Sequence, residues 1–319
     1  MQNELILSVS HVSQVFPVKK QSLNAVNDVS LTVARGEIVG IVGESGCGKS
    51  TLAKIIAGSL VPTKGEVLLA GTNYYTLRGA QKRKFRKNIQ MVFRDPLSSF
   101  SPRMKIGTYI CEPRVNYDHV KKETAMEEAR KLLELVGLSA DFVERYPHEL
   151  SGGQLQRVAI ARAIAIDPML LICDEATSAL DVTIQDQIAR LLVDIIRQKN
   201  MSAIFIGHDL ALVRNVTTRI LVMYLGRVVE IIDSEALDQC AHPYTKALLD
   251  SIFDVYCDQK QEIALLEGEP PSPLNLPSGC PFAPRCPHCT PRCRTELPTL
   301  QEVASKHQVA CFLTSWHSQ

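Results

Sequence analysis

The sequence is short of net charge and short of long apolar runs. Its 319 residues carry 35 Lys and Arg against 34 Asp and Glu, for a net charge of +1. That balance gives no global pull toward nucleic acid or an acidic substrate. The longest apolar runs, residues 169–173 and 220–225, fall far below the ~20 residues a membrane helix needs. The opening Met-Gln-Asn-Glu-Leu lacks the basic start and small-residue cleavage site of a secretory leader. The expected setting is the cytosol, or a membrane surface reached only through partners. No internal repeat is visible, which leaves solenoids and propellers aside.

Cysteine, by contrast, is plentiful. Cys47, Cys111, Cys173, Cys240 and Cys257 are scattered, while Cys280, Cys286, Cys289, Cys293 and Cys311 crowd the last forty or so residues. Cytosolic thiols stay reduced, so such a crowd points to metal before disulfides.

Hydrophobic periodicity orders the rest. Residues 5–12 and 26–33 alternate as half-buried strands. Residues 38–42, 169–173 and 203–206 are short continuous apolar runs, as in buried parallel strands. Helical spacing covers 49–57, 121–136, 151–166 and 182–198. Strand and helix alternate, so an α/β fold with a mainly parallel sheet is expected. The stretch 267–279 is rich in Pro and Gly and reads as an extended connector before the cysteines.

The first motif with chemistry is Gly43-Glu44-Ser45-Gly46-Cys47-Gly48-Lys49-Ser50, followed by Thr51. It lies between a buried strand and a helix, the setting a phosphate-binding loop requires. Glycines let backbone N–H groups approach phosphate oxygens. Lys49 puts a cation beside the β- and γ-phosphates, Ser50 offers a hydroxyl to Mg²⁺, and the helix N-terminus adds partial positive charge. The second is Asp174-Glu175 after a buried run. Alone, two acids there are more often a strand end than a metal site. Beside a phosphate loop, the Asp can organise Mg²⁺ and the Glu can polarise water. The third is Leu150-Ser151-Gly152-Gly153-Gln154, a second helix start suited to an anion. One chain cannot easily fold two such starts onto one nucleotide.

These motifs, in this order, resemble the ABC ATPase family over nearly the whole chain. The resemblance implies a P-loop NTPase core with an N-terminal antiparallel β element, a helical subdomain near 97–165 and a Cys-rich C-terminal extension. A shift in composition near residue 257 sets domain limits of 1–256 and 257–319. The resemblance also implies a head-to-tail sandwich of two cassettes, in which Ser151 to Gln154 complete the partner's ATP site. Glu175 becomes the general base, His208 the switch histidine at the γ-phosphate and Asp181 the end of the D-loop Ser178-Ala-Leu-Asp181. Phe16 takes the place of an aromatic ring against adenine, although a ring beside a strand is as readily core.

One position departs from the family pattern. Where a Q-loop glutamine is usual, the chain reads Met91-Val-Phe-Arg94-Asp-Pro96. Arginine carries donors and no acceptor, so it cannot ligate Mg²⁺. The expectation is weakened hydrolysis at the site built on Lys49, with the partner's site still active. The basic run 82–87 has no aromatic platform and reads as a solvated helix face rather than a nucleic-acid site.

The tail and the stretch His242-Pro-Tyr-Thr-Lys-Ala-Leu-Leu249 resemble the ATPases of oligopeptide, dipeptide and nickel importers. Some relatives hold a [4Fe-4S] cluster with four tail cysteines, which match Cys280, Cys286, Cys293 and Cys311. Zn²⁺ and unligated thiols are the alternatives, and Cys289 is a spare or alternative ligand. The implied function is ATP hydrolysis with Mg²⁺, powering peptide import from the cytoplasmic face of the cell membrane. Expected partners are a second ATPase subunit, two permease subunits and an external solute-binding protein. Nickel or metal-chelate import is the alternative cargo. A soluble ABC protein acting on nucleic acid is the remote alternative, disfavoured because neither a second cassette nor a long coiled-coil insertion is present.

Overall fold

A computed structural model describes residues 4–19, 21–177, 181–253, 268 and 270–313. Two long strands, β1 (Leu5–Val18) and β2 (Gln21–Ala34), form a hairpin, and β4 (Lys64–Leu69) pairs with the other edge of β1. All three run antiparallel, which is the expected N-terminal β element.

Between them come β3 (Ile38–Val42) and α1 (Lys49–Ile56). The chain continues through α2 (Gly79–Arg86), β5 (Ile89–Val92), α3 (Ile106–Asp118), α4 (Lys122–Leu135) and α5 (Gly152–Ile164). It goes on with β6 (Leu170–Asp174), α6 (Val182–Gln198), β7 (Ser202–Gly207), α7 (Leu210–Val216), β8 (Arg219–Tyr224), β9 (Arg227–Asp233) and α8 (Pro243–Phe253). The tail adds α9 (Pro291–Thr295), β10 (Gln301–Ala304) and β11 (His307–Val309).

The main sheet has the order β10-β11-β9-β8-β3-β7-β6-β5. From β8 through β5 the pairing is parallel, and β9 and the tail strands continue it antiparallel. The inner parallel strands β3, β6 and β7 are buried on both faces, as their continuous apolar runs require. Leu170, Ile172, Ile204 and Ile206 pack with α1 and the β element. Leu171, Cys173, Ala203 and Phe205 pack on the other face with α3, α4, α5 and α6. Each such side chain contributes about 1.5–3 kcal/mol when fully buried. The basic helix α2 buries no residue, in keeping with a solvated face.

The tail does not stand apart from this core. The boundary expected between residues 256 and 257 lies outside the described residues. Beyond it, β11 pairs with β9 through Gln308–Ile231 and Val309–Glu230. Phe282 is buried against Tyr224 and Tyr244, with ring centroids 5.3 and 5.4 Å away. A Pro-rich segment too short for its own core is fixed by borrowing the core of the main sheet.

Candidate functional site

The parallel strands end along one edge of the sheet, and β3 lies where the chain reverses its direction of strand addition. Ligands of open α/β sheets sit at that place. The phosphate loop leaves β3 there. Gly43 and Gly48 have φ of 150° and 107°, in the region where L side chains are strained. A Cβ on Gly43 would run into the carbonyl of Met223, and one on Gly48 into that of Ala25. Glycine at these two positions therefore lets the loop lie against its neighbours.

Lys49 opens α1 and is 4% exposed. Its Nζ donates to the carbonyls of Gly43 at 2.7 Å and Glu44 at 2.9 Å, and lies 3.7 Å from Cys47 Sγ. Burial pushes the Cys47 thiol pKa up, against the pull of Lys49. Ser50 Oγ donates to Asp174 Oδ1 at 3.0 Å, and Thr51 follows on α1, half-buried. Burial raises the Asp174 pKa, the Ser50 hydrogen bond lowers it, and neighbouring Glu175 raises it. A hydroxyl and a carboxylate in contact supply the hard oxygen donors that Mg²⁺ prefers.

Glu175 sits one residue beyond β6 with φ 49°, and its N–H donates to Ile206 O. Two strand registers decide its neighbours. Val92 pairs with Cys173, so the chain leaving β5 brings Arg94 to Glu175: Nη1 to Oε2 is 2.9 Å. Asp174 pairs with Ile206, so the chain leaving β7 brings His208 within 3.9 Å of Glu175 Oε1.

Ser151 caps α5, accepting from Gln154 N–H while Gln154 Oε1 accepts from Ser151 N–H, and Gly152 and Gly153 form the first turn. Ser151 and Gly152 are exposed. No described hydrogen bond links Ser151–Gln154 to the phosphate loop. Asp181 precedes α6 and is exposed; Ser178, Ala179 and Leu180 lie outside the described residues. Phe16 is half-buried on β1 opposite Leu23 and belongs to none of the three core clusters.

With this geometry in view, two family models match the chain. "ABC transporter" covers residues 26–178, and "Oligopeptide/dipeptide transporter, C-terminal region" covers 229–293. An oligopeptide transport ATP-binding protein of Haemophilus influenzae is 44% identical over 97% of both chains. The chain belongs to the ABC transporter ATP-binding proteins. A putative oligopeptide transport ATP-binding protein of Bacillus subtilis is likewise 44% identical, over 97% of this chain and 95% of its own. Among solved structures, a post-hydrolysis cassette dimer bound to ADP and Pi is similar with a TM-score of 0.66. Its identity is 28%, over 72% of this chain and 98% of its own. Membership in this family carries ATP as substrate and an ABC ATPase activity.

The tail brings most of its cysteines together. Cys280, Cys286, Cys293 and Cys311 do line one small cavity with His242 and Phe282, while Cys289 stays outside it. Yet among the described residues no group of three or more His, Cys, Asp or Glu is arranged to hold a metal ion. The cavity measures about 10 Å³. Three of the four thiols carry pKa values raised first by burial, Cys280 to about 11. Nothing in this arrangement supports the expected [4Fe-4S] or zinc ligation; what it shows is thiols and apolar packing side by side.

Sequence reasoning missed two partners of the site. Arg285 and Tyr244 both reach Glu44 from the C-terminal part of the chain. Only Tyr244 had a signal, as the third residue of His242-Pro-Tyr244.

Proposed function

We propose that this ABC ATPase powers the import of di- or oligopeptides through a membrane transporter. The observation that carries the reading is the near-full-length relationship to oligopeptide transport ATP-binding proteins, which extends through the tail. Nothing comparable favours nickel, a metal chelate or a nucleic acid. Among the described residues no helix is long and apolar enough to cross a membrane, so the path for the peptide belongs to other subunits. Two permease subunits, a solute-binding protein and a second ATPase subunit complete the proposed assembly. The chain would then work peripherally at the cytoplasmic face.

The side chains take these roles. Lys49 exchanges the carbonyls of Gly43 and Glu44 for phosphate oxygens, with the amides of residues 45–48 and Thr51 around them. Ser50 and Asp174 would hold Mg²⁺, which would supply neutralisation of the phosphate charge. Glu175 accepts the proton of the attacking water, and His208 bonds the γ-phosphate. Phe16 faces the adenine. Ser151 to Gln154, of which Ser151 and Gly152 are exposed, lie far in sequence from Lys49 and complete the site of the second subunit, with Asp181 at the same interface.

Arg94 modifies this scheme. Its guanidinium engages the carboxylate that has to receive the water proton. It also replaces the acceptor that a glutamine would offer to Mg²⁺. Hydrolysis at the site built on Lys49 is accordingly slow, and the second subunit's site carries more of the turnover.

The test of cargo is peptide-stimulated ATPase activity of the complete transporter in vesicles. Oligopeptides loaded with the binding protein should raise turnover, and nickel should not. Stimulation by nickel and none by peptides would overturn the cargo.

A further inference from the structure

The tail and the phosphate loop meet at Glu44. Arg285 Nη1 donates to Glu44 Oε2 at 2.8 Å and to Oε1 at 3.1 Å, and Nη2 donates to Oε1 at 3.1 Å. The Arg285 side chain is 5% exposed. Nη1 also lies 3.4 Å from Tyr224 Oη. Burial works against the Arg285 charge, and its bonds to Glu44 and Tyr224 outweigh that and raise its pKa. On the backbone side, Glu44 N–H donates to Tyr244 Oη at 2.8 Å. Both the amide and the carboxylate of this loop residue are thus held from outside the loop.

The setting is rigid. Arg285 ends a single 3₁₀ turn, Ala283–Arg285, that lies between Cys280 and Cys286. Cys280 N–H donates to Cys293 O at 2.8 Å. Phe282, immediately before the turn, fills the core between Tyr224 and Tyr244. Glu230, fully buried, accepts from Ala241 N–H and His242 N–H and contacts His307 Nε2 at 2.7 Å. The position of Arg285 is therefore set by the tail's attachment to β9 and α8.

Charge gives the contact its consequence. Glu44 is the second residue of a loop that receives a polyphosphate. A bare carboxylate there opposes the incoming charge, and the opposition is strong at the short range and low dielectric of a part-buried site. A bidentate guanidinium neutralises it and fixes its direction. We propose that Arg285 is a positioning residue for ATP: acting through Glu44, the C-terminal tail neutralises and braces the phosphate loop, and so forms part of the nucleotide site.

This rests on the reading of the loop as the ATP site, which Lys49→Ala tests separately. The measurement is the Kd of the full chain for MgATP, read by displacement of a fluorescent ATP analogue, with thermal melting beside it. Lys49→Ala should abolish displacement, and if it does not, the ATP reading of the loop fails. Arg285→Gln should weaken MgATP roughly 5- to 20-fold, because it exposes the Glu44 charge. Adding Glu44→Gln should recover most of that loss, because the charge is gone. Arg285→Lys, which keeps the charge and loses the fork, should fall between. A purely structural tail predicts otherwise: the double variant would bind no better than Arg285→Gln. That result, or wild-type affinity in a folded Arg285→Gln, overturns the proposal. Should Arg285→Gln not fold, Arg285→Lys decides: affinity equal to wild type overturns the brace, and a several-fold loss relieved by Glu44→Gln supports it.

Discussion

The two walls of the nucleotide site stand on adjoining strands, yet they are held in different ways. The phosphate wall is Lys49, Ser50 and Asp174. Lys49 donates to the carbonyls of Gly43 and Glu44, Ser50 donates to Asp174, and Lys49 and Asp174 are buried. The proposed hydrolytic wall is Glu175, 14% exposed, with Arg94 and His208, whose side chains are 63% and 56% exposed. A buried wall keeps its geometry without ligand, because unpaired polar groups there are costly. An exposed wall is open to water and to a second subunit. On the proposed roles, binding is organised within one chain and hydrolysis is left adjustable. The exposed guanidinium limits what the Arg94–Glu175 pair adds to stability, so on the proposed roles the contact matters for chemistry more than for folding.

The comparison breaks most sharply at Asp174. Its carboxylate is disfavoured by burial, so at neutral pH its charge costs stability, and a neutral isostere relieves that cost. Asp174→Asn is expected to raise the melting temperature of the ligand-free chain by roughly 1–3 °C. The same change should cut Mg²⁺-dependent ATP turnover by about 100-fold or more, as loss of a transition-state electrostatic group does. A lower melting temperature with normal turnover would show that the buried wall serves folding alone.

A smaller effect is expected on the other wall. Arg94→Gln should raise ATP turnover of the assembled transporter by roughly 3- to 10-fold, about 0.7–1.4 kcal/mol of barrier. Adding Glu175→Gln should return it to the wild-type rate or below, since the freed base is then missing. Turnover that stays level in Arg94→Gln would mean that Glu175 is not restrained by this contact.

The smallest effect concerns the tail side. His242 accepts from Tyr244 N–H at Nδ1, 3.1 Å away, and burial lowers its pKa to about 3. An unfolded histidine titrates near 6.5. Between those values the unfolded chain binds the proton and the folded chain does not, so stability falls as pH drops from about 6.5 toward 3. His242→Asn keeps an uncharged acceptor. Its melting temperature should depend less on pH over that window than wild type, and equal slopes would remove His242 as the cause.

Much of the site is legible in the sequence. The phosphate loop declares itself because glycine, lysine and serine at fixed spacing answer a local need, as do the Ser151–Gln154 helix start and the apolar runs of β3, β6 and β7. Strands β4 and β5 are harder to see: Lys64–Leu69 begins with three exposed residues, and Ile89–Val92 is only four residues long. The tail strands escape for a different reason. Gln301–Ala304 is exposed throughout, and its pairing is supplied by β11 and the main sheet. Arg94 is recognisable as a departure from the family pattern, but its partner is not.

The sequence by itself determined which groups are available: a phosphate loop, two adjacent acids, a capped anion-binding helix start, and an arginine where an acceptor is usual. Local backbone chemistry and periodicity suffice for that. Only the tertiary structure decided which of them meet. Parallel registers across long crossovers put residue 94 beside 175 and 208 beside 175, and no tight turn is there to fix them locally. Only the tertiary structure, too, brought Arg285 to Glu44, 241 residues away, because the tail finds its core on the main sheet.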